Sequence, residues 1–250
     1  MMIPSWGPPG SGARRTKLLA LLAVRDGMRY LPGFLRNVAP QVDGIVALDD
    51  GSSDGSADLL KSHEAVVELL RNPTDRPVWD EVGNHRALIG AALRHGADWV
   101  ICVDADERLE QDFRPRAERV IARGRLLGYS AYAMPLRELW DDPRHYRNDG
   151  IWGRKMVARL FRLRADHQFD TRELHGFKAP LQARRGGRFP KADLNLFHLA
   201  MLTPEDRAAR RRRYEIADPE RRWQRIGYEY LTDSNGLTLR PLPPGRGFFD

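Results

Sequence analysis

Two clusters of acids stand where carboxylate oxygen could be offered to a ligand. One is Asp49-Asp50-Gly51-Ser52-Ser53-Asp54-Gly55-Ser56 and the other is Asp104-Ala105-Asp106-Glu107. Each follows an apolar run, so each is expected to close a buried strand. A turn from strand to helix needs one capping acid, a role Asp54 can fill, and not two adjacent aspartates at the strand end. The Asp50–Gly55 spacing imitates an EF-hand, but Lys61 occupies the twelfth position, where calcium requires a bidentate glutamate. Asp104-Ala105-Asp106 imitates a dehalogenase nucleophile loop, but Arg108 replaces the Thr or Val such a loop carries. The remaining chemistry is a divalent cation. Mg²⁺ and Mn²⁺ prefer oxygen ligands and bind through one or two carboxylates together with substrate phosphates. Gly7 to Gly12 imitates a phosphate loop, yet Ala13 and Arg14 follow where Lys and Ser or Thr are required.

Composition narrows the function classes. The chain has 250 residues, 41 Lys and Arg against 34 Asp and Glu, a net charge of +7, and 42% hydrophobic residues. That balance folds as one large domain or two small ones. Cys102 is the single cysteine, which excludes an intrachain disulfide, argues against a thiol-bound zinc and favours a reducing compartment. Leu18 to Val24 is the longest apolar run; a bilayer span takes about 20 residues, and Arg25 and Asp26 follow with no small-residue cleavage site. The expectation is a cytoplasmic protein without an integral membrane segment. The basic residues form no stripe with interleaved aromatics, so nucleic acid is not expected as a partner. Their densest run, Arg210 to Arg213, follows the helix start Thr203-Pro204-Glu205-Asp206. It reads as a solvated face or as an anion-binding one, facing a diphosphate, an acidic acceptor or a membrane surface.

The elements that must position these residues alternate in period. Leu18–Val24, Gly44–Leu48, Ala65–Leu70 and Trp99–Val103 read as buried strands. Between them Tyr30–Val38, Ala57–His63 and Trp79–Arg94 have helical spacing. Such alternation predicts an α/β fold with a mostly parallel central sheet flanked by helices. Ligands of such sheets bind beyond the carboxyl ends of the strands, where both acid clusters fall. Beyond them the sequence predicts a helix over Phe113–Leu126, strands over Tyr129–Leu136 and Met156–Leu163 joined by a linker, and a short strand over Asn195–Ala200. The division expected is a mobile tail over 1–16, a strand-and-helix half over 17–110, a second half with the Arg-rich helix over 111–231, and an extended tail over 232–250, the halves being those that the resemblance below makes nucleotide-sugar-binding and acceptor-binding.

The order strand, Arg25-Asp26, helix, Asp49-Asp50-Gly-Ser-Ser-Asp-Gly-Ser, Asn84-His85-Arg86-Ala87-Leu88, then Val103-Asp104-Ala105-Asp106-Glu107 resembles family 2 glycosyltransferases of the GT-A fold. The resemblance covers residues 17–110 and continues more faintly through Arg159-Leu160-Phe161-Arg162, Leu174-His175-Gly176 and Phe197-His198-Leu199. It implies a metal-dependent transfer of a sugar from a nucleotide-diphosphate donor, commonly a UDP-sugar, to an acceptor hydroxyl, with inversion. It implies that Asp50 meets the donor base, that Arg25 and Asp26 lie beside base and ribose, and that Arg86 faces the nucleotide. It implies that Asp104 stands near ribose or metal, that Asp106 ligates the metal, Mn²⁺ or Mg²⁺, and that His198 can serve as a third ligand.

The catalytic base does not transfer, because Gly176 stands where the family carries an acid. Asp170, Glu173 and His175 are the candidates, with Asp141 and Asp142 behind them. Trp140, Tyr146 and Trp152 offer either core packing or a platform for a sugar face. Two rival functions remain open at this point. One is a GT-A scaffold that binds a nucleotide or acidic ligand without turnover. The other is a nucleotidyltransferase, disfavoured because no glycine-rich phosphate loop follows the first strand.

Overall fold

The computed structural model describes residues 15–75, 79–172 and 176–250. Of the tail expected over 1–16, only Arg15 and Thr16 fall among them, and the Gly7–Gly12 decoy lies outside. Strand β1 (Leu18–Val24) has no polar face to show to water, and both of its faces are covered. Leu18, Ala20, Leu22 and Val24 enter one core cluster, Leu19 and Leu21 the other. β2 (Ile45–Asp49) and β4 (Trp99–Cys102) pair with β1 in parallel on either side, and β3 (Val66–Arg71) pairs in parallel with β2. Helices α1 (Leu31–Val38) and α4 (Phe113–Leu127) cover the first cluster. α3 (Glu81–Arg94) covers the second, and α2 (Ser56–Ser62) joins β2 to β3. The sole cysteine, Cys102, lies in β4 facing the α3 side, 4% exposed, and burial pushes its thiol up to about 12.

From β4 outward the sheet turns antiparallel through β8 (Met156–Arg162), β6 (Ala131–Trp140), β7 (Asp142–Arg147) and β10 (Leu239–Pro241). The full order is β10-β7-β6-β8-β4-β1-β2-β3, so the inner strands β1 and β4 flank the switch point. β5 (Glu107–Leu109) and β9 (Leu196–His198) form a small ladder against β6. α5 (Pro204–Ala217) starts where its signals predict. The Thr203 hydroxyl accepts from the Asp206 N–H and the Asp206 carboxylate accepts from the Thr203 N–H, an arrangement that contributes about 1 kcal/mol.

Two features differ from the sequence expectation. β3 is an edge strand and only half buried, with Glu68 in its middle paired to Arg94 and His95. The linker after Leu136 is a strand pair: β6 runs on to Trp140 and turns through Asp141, whose φ is 60°, into β7. Charges at Arg137 and Glu138 hide that strand from pattern reading, and its pairing partners come from distant sequence. The tail over 232–250 contributes β10 and then packs back on the body. Arg246 donates to Glu110 and Asp193, and Asp250 accepts from Arg108 at 2.6 Å. No helix among the described residues is long and apolar enough to cross a membrane.

Candidate functional site

The carboxyl ends of β1 and β2 are level: Val24 pairs with Asp49, and the Asp50 N–H donates to the Val24 carbonyl at 2.8 Å. Asp50 is wholly buried, and its carboxylate accepts from Arg25 at 2.6 Å and Asn72 at 2.5 Å. Asn72 also donates to the Asn84 side chain at 2.9 Å, which sets the first turns of α3 beside Asp50. The remaining polar groups of this loop build it. The Ser52 and Ser56 hydroxyls accept from the Asp26 and Gly27 N–H groups, each at 2.9 Å. Asp54 accepts from the Met28 N–H at 2.8 Å, and Asp26, at a φ of 50°, accepts from the Ser53 N–H at 2.8 Å. Gly27 is required there, because a Cβ would stand 2.3 Å from the Val24 side chain.

Across the switch point the chemistry is ionic. A tight turn closes as the Glu107 N–H donates to the Asp104 carbonyl at 2.9 Å, and the Asp104 N–H donates back to the Glu107 carboxylate at 2.9 Å. β5 then pairs with β9 so that Glu107 lies opposite His198, and β6 places Glu138 in register with the same histidine. The His198 Nε2 stands 3.3 Å from the Asp106 carboxylate, and its Nδ1 faces Glu138, whose other oxygen meets Lys155. Arg210 reaches in from α5, 2.9 Å from His198 Nε2 and 4.0 Å from Asp106. Arg159 of β8 spans Asp104 at 2.8 Å and Glu107 at 3.0 Å. The structure therefore brings Asp104, Asp106 and His198 to one edge.

Their charges are strongly coupled to place. Burial alone would raise the Asp106 carboxyl, but His198, Arg210 and Arg213 outweigh it and hold it below the usual carboxylate range. Burial lowers His198, yet Glu138 and Asp106 on its two nitrogens prevail and lift it to about 9, with Arg210 opposing. Burial pushes Glu107 up to about 7 against the pull of Arg159. Among the described residues no group of three or more His, Cys, Asp or Glu side chains is arranged to hold a metal. Asp106 and His198 would fit a divalent cation as an oxygen–nitrogen pair completed by diphosphate oxygens once His198 gives up the proton that its two carboxylates hold. Glu138 on Nδ1 is the outer carboxylate that orients metal-binding imidazoles.

The other predicted residues fall elsewhere. Arg86 and Asp170 line a single cleft of about 500 Å³ between α3 and the segment after β8. Asp170 accepts from Arg172 at 2.6 Å and from the Phe177 N–H at 3.2 Å; the Arg172 bond leads in holding its carboxyl at about 2. Glu173 and His175 lie outside the described residues. Asp141 is bound by Arg207 at 2.8 Å, and Asp142 is bound by Arg144 and His145. Trp140, Trp152 and Tyr146 are buried, at 0%, 5% and 6% exposure, so they pack rather than present a face. Sequence reasoning missed Glu138, Lys155 and Arg159 as site members. The available signal was charge inside otherwise apolar strands, which burial tolerates only with a partner.

No protein-family model matches the chain. The uncharacterized protein Rv3786c of Mycobacterium tuberculosis is 28% identical over 214 residues, which cover 83% of this chain and 52% of that protein. A TPR repeat-containing protein of Synechococcus elongatus is 33% identical over 98 residues, 39% of this chain and 22% of its own. The chain thus spans about half the length, or less, of the curated relatives it matches. Among solved structures, S. aureus TarS superposes with a TM-score of 0.50 at 13% identity, covering 78% of this chain and 38% of that one. The likeness is one of fold alone: a mixed α/β sheet flanked by helices.

Proposed function

We propose that this chain is a family 2-like glycosyltransferase. It moves a sugar from a nucleotide-diphosphate donor, a UDP-sugar, to an acceptor hydroxyl with inversion at the anomeric carbon. The observation that supports this most is Asp106, a half-buried carboxylate at the switch point, set 3.3 Å from an imidazole and close to Arg210. Asp50, with Arg25 and Asp26 beside it, reads the base and ribose of the donor. Arg86, on α3, faces the nucleotide. Asp106 and His198 hold a divalent metal, Mn²⁺ or Mg²⁺, with Asp104 near the ribose. When bound, that metal neutralises charge on the departing diphosphate. Arg210 adds a fixed cation beside it, of the kind most effective where water is excluded. The base that takes the acceptor proton belongs to the segment of Asp170, Glu173 and His175.

The test is calorimetry of UDP with Mn²⁺ and with EDTA, in wild type and Asp106→Ala. The reading requires metal-dependent binding that the variant loses while staying folded. Equal UDP affinity with Mn²⁺ and with EDTA overturns the metal assignment. The scaffold reading without turnover draws support from Asp170, whose charge Arg172 already neutralises. A scan of Asp170→Asn, Glu173→Gln and His175→Ala separates the two. Turnover of a UDP-sugar falling by about 10²–10⁴-fold in one variant with UDP affinity kept identifies an enzyme and its base.

A further inference from the structure

The face of α3 turned away from the sheet forms one wall of the 500 Å³ cleft, and nothing in the donor chemistry uses most of it. Val82, His85, Arg86, Ile89, Gly90 and Leu93 line it, at the spacing of a single helical face. Leu88, Ala91 and Ala92 on the other side pack onto the sheet. Opposite stand Phe169 and Phe177 among the polar side chains of Arg164, Gln168 and Arg172, with Leu93 36% and Phe177 38% exposed. Asn72 ties Asn84 to Asp50, so the first turns of α3 lie beside the carboxyl edge.

Gly90 has no local reason to be glycine. It sits inside a helix, where glycine is among the poorest formers, and its φ is not in the left-handed region. A Cβ there would meet only the Arg94 guanidinium, at 3.8 Å. What a side chain would fill is the groove itself. The charges at the mouth are unequal. Glu81 pairs with Lys178 at 2.6 Å, Asp170 with Arg172 at 2.6 Å and Arg164 with Asp166 at 2.9 Å. Arg86 has no ion-pair partner among the described residues. The His85 ring is 8% exposed and donates to the Lys178 backbone, leaving Nε2 as an acceptor without a partner.

We infer that this groove takes the acceptor, and that the acceptor is a small anionic amphiphile. Its acidic, hydroxyl-bearing head meets Arg86 and His85 at the carboxyl edge, and its short apolar chain lies over Gly90 between Ile89, Leu93 and Phe169. The volume suits a discrete small molecule rather than a bilayer. The acceptor role rests on the transferase reading above; the ligand chemistry rests on the groove alone.

The test uses calorimetry on the full chain with n-hexyl phosphate and inorganic phosphate as probes, and UDP with Mn²⁺ as a separate readout. Wild type is expected to bind hexyl phosphate at least tenfold more tightly than inorganic phosphate. Gly90→Leu is expected to lose at least tenfold of that affinity with an unchanged or raised Tm and unchanged UDP affinity. Leu93→Glu, at an exposed position, is expected to lose several-fold. Hexyl phosphate bound no better than inorganic phosphate, or bound equally by wild type and Gly90→Leu, overturns the inference whether or not UDP binds. Hexyl phosphate bound through Gly90 by a chain that binds no UDP overturns the acceptor role.

Discussion

Around Asp26 and Ser56 the polar side chains meet backbone N–H groups, through the Ser52 and Ser56 hydroxyls and the Asp26 and Asp54 carboxylates, and each bond closes one loop onto another. Around Asp106, a few strands away, charge meets charge: Asp104, Glu107, Glu138 and Asp106 face Arg159, Lys155, His198 and Arg210. The first arrangement is ordinary stabilisation, since these oxygens satisfy donors that burial would otherwise strand. The second is costly. A buried ion pair seldom outperforms apolar residues of the same size, so such a cluster adds little to folding. The contrast separates residues that build the edge from residues that can act at it.

Asp106→Ala breaks the comparison most sharply. Nucleotide binding in Mn²⁺ is expected to fall by at least a hundredfold by calorimetry, while urea unfolding shows no loss of fold. Arg159→Met comes next. It strands the buried Glu107, and losing one partner of such a pair costs about 3–5 kcal/mol. Adding Glu107→Gln is expected to restore most of that in urea titrations, because the stranded charge is then gone. On the other rim, Ser56→Ala removes a buried acceptor from the Gly27 N–H and is expected to cost about 2 kcal/mol. Its effect on UDP affinity is expected to stay within a fewfold, and a larger loss would place this loop among the acting residues.

The smallest effect concerns His85. Burial leads in holding its ring at about 3, against an unfolded value of 6.5. The unfolded chain therefore takes up the proton first as pH falls, and stability declines below pH 6.5. Between pH 7 and 5.5 wild type is expected to lose about 1 kcal/mol more than His85→Gln, which keeps a donor for Lys178 without titrating. Parallel urea curves at the two pH values measure the difference.

The inner parallel strands β1, β2 and β4 were legible because they are buried on both faces, and β1 spans Leu18–Val24 as its apolar run predicts; α5 was legible from its capping box. The two acid clusters were legible because they end those strands. Glu138 was not, because its burial comes from β9 pairing with β6 across nearly sixty residues of chain. Arg159 was visible only as part of a faint family pattern, and its reach to Asp104 depends on β8 lying beside β4. Local sequence specifies neither register. The groove along α3 was read as helix periodicity alone, since an apolar stripe looks the same whether protein or ligand covers it.

Cys102 gives the fold a built-in clock. Its thiol lies between β4 and α3 and burial holds it protonated, so thiol reagents do not reach it in the closed state. Modification therefore waits on separation of the central strands, and its rate follows the opening of the sheet rather than the chemistry of the reagent. Because both acid clusters end strands of that sheet, a nucleotide seated at them is expected to slow the clock, and one that leaves it running at the same pace is held somewhere else.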